Sequence, residues 1–262
     1  LDGHPEEEQR LIADFLIKVT SFFRDPALFV RLREEIIPDL VAAARAERRE
    51  LRMWSAGCAT GEEAYSLAIL VAEALDANPE LLPPVRIFAT DLDESALMFA
   101  RRGVFPASVL DNVPEDLVDR YFSRREGTVE VTKAVRSLIV FGTHDLAQRP
   151  PFPRTDLILC RNVLIYFAHA LQRRALEIFA YSLREGGVLV LGSAESPGAV
   201  PEAFDTIDRR LRIYRRHGPR SALPAARLPP SAAMTLVRGT PLPRSRSALE
   251  QALRQANVDT ED

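Results

Sequence analysis

Cysteine and histidine are scarce in this chain, and each scarcity excludes something. Its 262 residues include only two cysteines and four histidines. Cys58 and Cys160 show no metal-ligand spacing and the scattered histidines add none, so no metal site is indicated. No uninterrupted apolar run reaches the roughly 18 residues that a membrane-spanning helix requires, and no signal-peptide pattern opens the chain. These absences lead us to expect a soluble protein in a reducing, cytoplasmic setting. The first residue is Leu1 rather than Met, so the chain reads as a piece of a longer one. Two nucleotide-binding signatures are also missing: there is no G-x-G-x-x-G fingerprint and no P-loop lysine.

Hydrophobic residues make up 47%, enough for one large core, and charged residues 27%, close to the globular average. The net charge of −3 conceals a split. Residues 209–246 hold ten Arg and no Asp, Glu or Lys, which with the acidic last sixteen residues leaves 1–208 at −10. The basic segment is read as a solvated linker, or else as an electrostatic contact for an acidic partner.

Residues 6–23 place Leu11, Ile12, Phe15, Leu16, Val19 and Phe22 at helical spacing. Asp25-Pro26 reads as N-cap and first residue of a second helix, which carries Phe29, Leu32 and Ile36 and is bent or restarted at Pro38. From residue 51 the pattern becomes strand–helix alternation: LRMWSA, a helix over 61–75, VRIFAT, a helix over 93–102, TDLILC, a helix over 169–184, and GVLVLG. Short apolar strands alternating with helices predict an α/β fold, a doubly wound and mostly parallel sheet with helices on both faces. Residues 103–142 break the rhythm with Pro106, Pro114, a short helix in PEDLVDRYF and the strand TVEVT, indicating an inserted antiparallel β-subdomain before the core strand SLIVF. DRRLRIYRR reads as a closing antiparallel strand. The expected division is therefore a truncated helical part at 1–48, a main domain at 49–216 with the insertion near 103–136, a Pro/Arg-rich linker at 217–246, and a helix start or tail at 247–262.

Ligands of open parallel sheets bind beyond the carboxyl ends of the strands, near the point where strand order reverses. Four polar stations fall there: SAGCATGEE, Thr90-Asp91-Leu92-Asp93, His144-Asp145-Leu146 and Cys160-Arg161-Asn162-Val163. Asp91 stands where an acid would accept hydrogen bonds from ribose hydroxyls, or else it caps the next helix. Glu62 and Glu63 oppose a pyrophosphate and suit a ligand with a positive centre and a ribose, as S-adenosylmethionine has. Gly57 and Gly61 let backbone approach such a ligand, with Ala56 and Gly57 against it. Glu62 is expected to face solvent as a helix-start acid.

VTSFFRDPALF, GCATGEEAYSLAIL, IFATDLDESAL, DLILCRNVLIYF and GGVLVLGSAES, in this order, resemble the chemotaxis receptor methyltransferases, the CheR family, over about residues 10–216. The resemblance implies a methyltransferase fold that uses S-adenosylmethionine to esterify glutamate side chains on the cytoplasmic domain of chemoreceptors, in a chain often fused to other signalling modules. It assigns cofactor contacts to Thr20, Arg24, Glu63, Asp91, Asp145, Leu146, Cys160 and Arg161, and it makes Tyr166 a substrate-side tyrosine. Lys18 and Asp145 stand where the family commonly has Asn.

A glutamate acceptor is already ionised at neutral pH, so methyl transfer to it needs no general base. Arg24 and Arg161 are expected to orient carboxylates and Tyr166 to stand near the acceptor, as the catalytic set. Structural readings compete: a surface pair for Arg24 with Asp25, a core ring for Tyr166, and simple packing for the two cysteines. Competing functions are a methyltransferase with another acceptor and a non-catalytic cofactor-binding module. Nucleic-acid binding by the Arg-rich segment lacks interleaved aromatic residues.

Overall fold

The computed structural model describes residues 20–76, 83–111, 113–146 and 152–218. The helix expected over 6–23 falls largely outside the described residues, as do Lys18, the linker beyond 218 and the 247–262 segment. Residues 20–25 are turn and bend, not helix. Phe23 and Asp25 are left-handed (φ 51° and 65°), and the Phe23 N–H donates to Ser66 Oγ at 2.9 Å instead of to a helical carbonyl.

Helix α1 (Pro26–Arg31) passes through a π-helical turn, Leu32–Ile36, into α2 (Ile37–Ala46). The widened turn precedes Pro38, whose missing N–H would otherwise interrupt a regular helix. Strand β1 (Leu51–Ala56) leads into α3 (Glu62–Asp76), and β2 (Val85–Asp91) into α4 (Glu94–Arg102). The insertion follows, with β3 (Val104–Pro106), α5 (Glu115–Tyr121), β4 (Phe122–Arg125), β5 (Thr128–Val131) and the single turn α6 (Lys133–Arg136). The chain returns to the main sheet with β6 (Ile139–Thr143), β7 (Thr155–Cys160), α7 (His169–Ser182) and β8 (Leu183–Leu191). It ends in a hairpin of β9 (Phe204–Asp208) and β10 (Ile213–Arg216).

The main sheet has the order β6-β2-β1-β7-β8-β10-β9, and β3-β5-β4 form a separate antiparallel sheet. The first five strands are mutually parallel, while β10 runs antiparallel to β8 and β9. DRRLRIYRR is thus half turn and half strand. Asp208 Oδ1 accepts the Leu211 N–H at 2.9 Å, closing the turn before Ile213 begins the ladder.

Alternation along the strands explains helices on both faces. Met53, Leu157, Leu159, Val188 and Val190 enter one core with α1–α3 and the insertion. Trp54, Ile158, Cys160, Leu189 and Leu191 enter the other with α7. Trp54 is fully buried, donates its indole N–H to Thr90 Oγ1 at 2.9 Å, and meets Phe152 and Phe179 edge to face. The register sets Ala56 level with Thr90 and Cys160 level with Leu191, so the strands end together and their loops converge.

Candidate active site

The reversal of strand order lies between β1 and β7, and a cleft of about 210 Å³ opens there. Three segments wall it. From the β1–α3 turn come Gly57, Cys58, Ala59 and Glu63, from the β7 end Arg161, Asn162, Val163, Ile165 and Tyr166, and from the N-terminal segment Thr20 and Arg24. The cleft therefore brings together six predicted residues: Thr20, Arg24, Gly57, Glu63, Arg161 and Tyr166. Four non-glycine residues in or beside these walls are left-handed: Phe23, Asp25, Ala59 (φ 46°) and Asn162 (φ 59°). Such conformations cost energy and persist where surrounding structure enforces them.

Gly57 explains the close fit of the walls. Its φ is 73°, and a Cβ there would lie 2.4 Å from Val163 Cγ2. A side chain would wedge the β1 loop from the β7 loop, so only backbone can face the cleft here.

Arg161 stands at the centre with its side chain only 2% exposed. Its Nη1 donates to Glu63 Oε2 at 3.0 Å and to the Arg24 carbonyl at 3.3 Å, and its Nη2 pairs with Asp25. Its Nε–H is buried and finds no acceptor among the described residues. Asp25 occupies the N-cap position of α1, yet its side chain caps nothing. The expected cap is instead an ion pair that ties the N-terminal segment to the β7 loop.

Burial pushes the Glu63 carboxyl above its ordinary range, while Arg161 pulls it back down. Glu62 corrects the expected solvent-facing acid. It is 6% exposed, accepts from Thr60 Oγ1 at 2.7 Å, and its carbonyl accepts from Ser66 Oγ. Burial raises its carboxyl as well. Helical geometry turns adjacent residues about 100° apart, so of the two neighbouring glutamates one packs beneath the turn and the other lines the cleft.

Asp91 is not a helix cap. Asp93 caps α4, accepting from Ser95 N at 2.8 Å and Ala96 N at 3.1 Å. Asp91 accepts from Ala59 N at 2.8 Å and Asp93 N at 3.0 Å, bracing the β1 turn while staying partly exposed beside it. Asp145 is half-buried and Leu146 buried after β6, where His144 N donates to the Asp91 carbonyl. Ala56 and Cys160 are both fully buried, each at the end of its strand and next to the cleft-lining Gly57 and Arg161. Burial raises the Cys58 and Cys160 thiols well above their usual range, so both remain protonated.

Glu195 is the residue that sequence reasoning passed over. Its 4%-exposed carboxylate accepts backbone N–H groups of the 162–165 turn. A charged residue four after the close of a buried strand was the available signal.

The residues fit S-adenosylmethionine. Bare backbone at Gly57 admits close approach, Glu63 offers an anion to a cationic centre, and Asp91 keeps lone pairs for ribose hydroxyls. Arg24 and the unpaired Arg161 Nε–H offer donors to a carboxylate, and the described residues lining the cleft include no lysine that would suit a phosphate.

Comparison with known proteins agrees with this cleft. The CheR methyltransferase, SAM binding domain, family matches residues 18–213. The chain is 42% identical over 209 residues to an uncharacterized 104.1 kDa protein in the hypE 3' region of Rhodobacter capsulatus, covering 80% of this chain and 22% of that protein. It is 35% identical over 217 residues to putative methyltransferase Cher3 of Pseudomonas putida, covering 79% and 76%. It is 36% identical over 202 residues to chemotaxis protein methyltransferase 2 of Pseudomonas aeruginosa, covering 75% and 69%. The chain thus spans about a fifth of the R. capsulatus protein and most of the other two. With a family match from 18 to 213 across the cleft and its sheet, this chain belongs to the CheR methyltransferase family and carries its S-adenosylmethionine-binding domain.

Proposed function

We propose that the domain transfers a methyl group from S-adenosylmethionine to glutamate side chains on the cytoplasmic helical domain of chemoreceptors, forming methyl esters. One observation carries the acceptor class. The described residues lining the cleft include two arginines and a tyrosine but no histidine, no lysine and no ionised thiol. Among those residues the carboxylate that could serve as a base, Glu63, is tied to Arg161 at 3.0 Å, and a carboxylate acceptor needs no base. When bound, S-adenosylmethionine supplies an electrophilic methyl on a sulfonium. Glu63 and Arg161 hold opposite charges at the walls, Arg24 and Arg161 orient carboxylates, and Tyr166 presents its hydroxyl toward the acceptor. Asp91 takes the ribose, with Thr20, Asp145 and Leu146 at the rim. Because a cation and an anion become neutral products, a water-poor cleft that aligns the two supplies much of the acceleration.

Relatives named chemotaxis protein methyltransferase support the receptor as partner. The 104.1 kDa relative, of which the match covers 22%, supports a setting in which this domain is one part of a longer protein. The test is incubation with methyl-labelled S-adenosylmethionine and a receptor cytoplasmic fragment. Base-labile label on glutamates is expected. Cofactor binding without label on any receptor fragment would overturn the acceptor and leave a binding module.

A further inference from the structure

Glu195 follows β8 in the segment GSAES, and no role above is assigned to it. Its Oε1 accepts from Val163 N at 2.9 Å, Leu164 N at 2.8 Å and Ile165 N at 3.3 Å. Its Oε2 accepts from Gly192 N at 2.6 Å and Asn162 N at 3.1 Å. Five backbone donors thus converge on one buried carboxylate. Four of them come from a stretch unable to satisfy them itself: Asn162 is left-handed, and Leu164–Tyr166 is a single 3-10 turn whose leading N–H groups have no intrahelical partner.

The convergence requires a carboxylate. Both of its oxygens accept and neither donates, whereas a glutamine would turn an NH2 toward backbone N–H groups. What the carboxylate holds is one whole wall of the cleft. Asn162, Val163, Ile165 and Tyr166 line it, and Arg161 precedes them. Val163 is also the residue fitted against the bare Gly57.

We propose that Glu195 is a positioning residue of the active site: its carboxylate fixes the 162–166 turn so that Arg161 and Tyr166 are held toward the methyl acceptor. The proposal rests on the methyltransferase reading above but not on which acceptor is used. It separates two parts of the site, because Gly57, Glu63 and Asp91 stand on other elements.

The test compares wild type, Glu195→Gln and Glu195→Asp in three measurements: amide hydrogen exchange, calorimetry with S-adenosylhomocysteine, and kcat and KM for methyl transfer to a receptor cytoplasmic fragment. In Glu195→Gln, exchange at 162–165 should accelerate about tenfold or more while β1 amides keep their protection. Affinity for S-adenosylhomocysteine should fall by a smaller factor than kcat, because Arg161 and Val163 belong to the loosened wall while Gly57, Glu63 and Asp91 do not, and kcat should fall about tenfold or more at saturation, a split that general destabilisation does not produce. Glu195→Asp, which keeps both acceptor oxygens, should recover part of kcat. Wild-type exchange at 162–165 or wild-type kcat in Glu195→Gln would overturn the proposal, as would Glu195→Asp doing no better than Gln. Should Glu195→Gln fail to fold, Gly192→Ala probes the same contact. A Cβ there would lie 2.7 Å from both Asn162 N and Glu195 Oε2. The same exchange pattern is expected, and a folded Gly192→Ala with wild-type exchange and kcat overturns the idea. If wild type itself fails to label the receptor fragment, the acceptor assignment falls, and the exchange and calorimetry arms still decide Glu195.

Discussion

At the scale of single residues, the cleft is governed by charges removed from water. Glu63 is a partly buried anion beside a buried cation, and removing it leaves Arg161 with Asp25 as its ion-pair partner. Charge-assisted hydrogen bonds contribute about 1.5–3 kcal/mol, so Glu63→Gln should weaken S-adenosylmethionine binding by roughly 10–100-fold in calorimetry. The pH dependence has a definite sign. Burial raises the Glu63 carboxyl above 4.5, so it takes up a proton before an exposed glutamate does as pH falls. Affinity for the cationic cofactor should therefore decline on acidification with a midpoint above 4.5, and Glu63→Gln should flatten the decline. The same raised carboxyl favours folding below its ordinary value, and that contribution is lost as pH rises through the raised one. An affinity that strengthens on acidification would contradict the assignment. Which glutamate of the pair meets the cleft was readable from the family resemblance but not from spacing, which left Glu62 exposed. Burial of Glu62 depends on Thr60 and Ser66 closing around it, contacts that the turn creates.

At the scale of elements, strands and their polar ends were the most legible features. A strand buried on both faces must be apolar throughout, and its end is marked where polarity resumes. Caps and turns were less legible because side chains of the same type compete for different partners. Asp25 had the form of a cap and became an ion pair, while Asp93, not Asp91, capped α4. Glu195 was hard to read because four of its five partners are backbone donors 30 to 33 residues away. Two substitutions test how the elements divide the labour. Gly57→Ala places a side chain at φ 73° against Val163 and should cost about 2 kcal/mol or more in denaturant unfolding, together with loss of cofactor binding. Asp156 lies near the opposite end of β7 and accepts from Arg49 Nη1 at 2.7 Å and Arg52 N at 2.9 Å. Asp156→Ala should cost about 1–3 kcal/mol, because it removes the acceptor shared by Arg49 and the Arg52 N–H and leaves Arg49 to Glu47. Its folded form should bind S-adenosylmethionine as wild type does. A cofactor affinity that fell as steeply as in Gly57→Ala would show that the two ends of the sheet are not independent.

At the scale of the whole molecule, the cleft exists because three bodies meet on one ring. Phe22 is 3% exposed and packs edge to face on Phe105 of β3 at 5.1 Å and Phe122 of β4 at 5.2 Å. Phe105 in turn meets Tyr65 of α3 at 5.9 Å. Through this cluster the inserted subdomain, the main sheet's helices and the N-terminal segment share one core. The segment itself is short, irregular and left-handed at two residues, so it has little secondary structure of its own to hold Thr20 and Arg24 over the cleft. Removing the ring from a site walled by three separate elements should leave a cavity and cost about 3–5 kcal/mol in Phe22→Ala. The larger consequence is functional. Freed from the insertion, residues 20–25 keep contacts to the rest of the chain such as the Phe23–Ser66 hydrogen bond, the Phe23–Phe29 ring contact and the bonds of Arg161 to Asp25 and the Arg24 carbonyl, and lose the ring that joins them to the inserted sheet. S-adenosylmethionine should then bind about tenfold more weakly, because part of its binding energy goes into ordering the segment. Phe22→Leu, which keeps most of the apolar volume, should lie between the two. If Phe22→Ala loses stability yet binds the cofactor with wild-type affinity, the segment is held by its contacts to α3 and Arg161 alone, and the inserted subdomain has no part in forming the cofactor site.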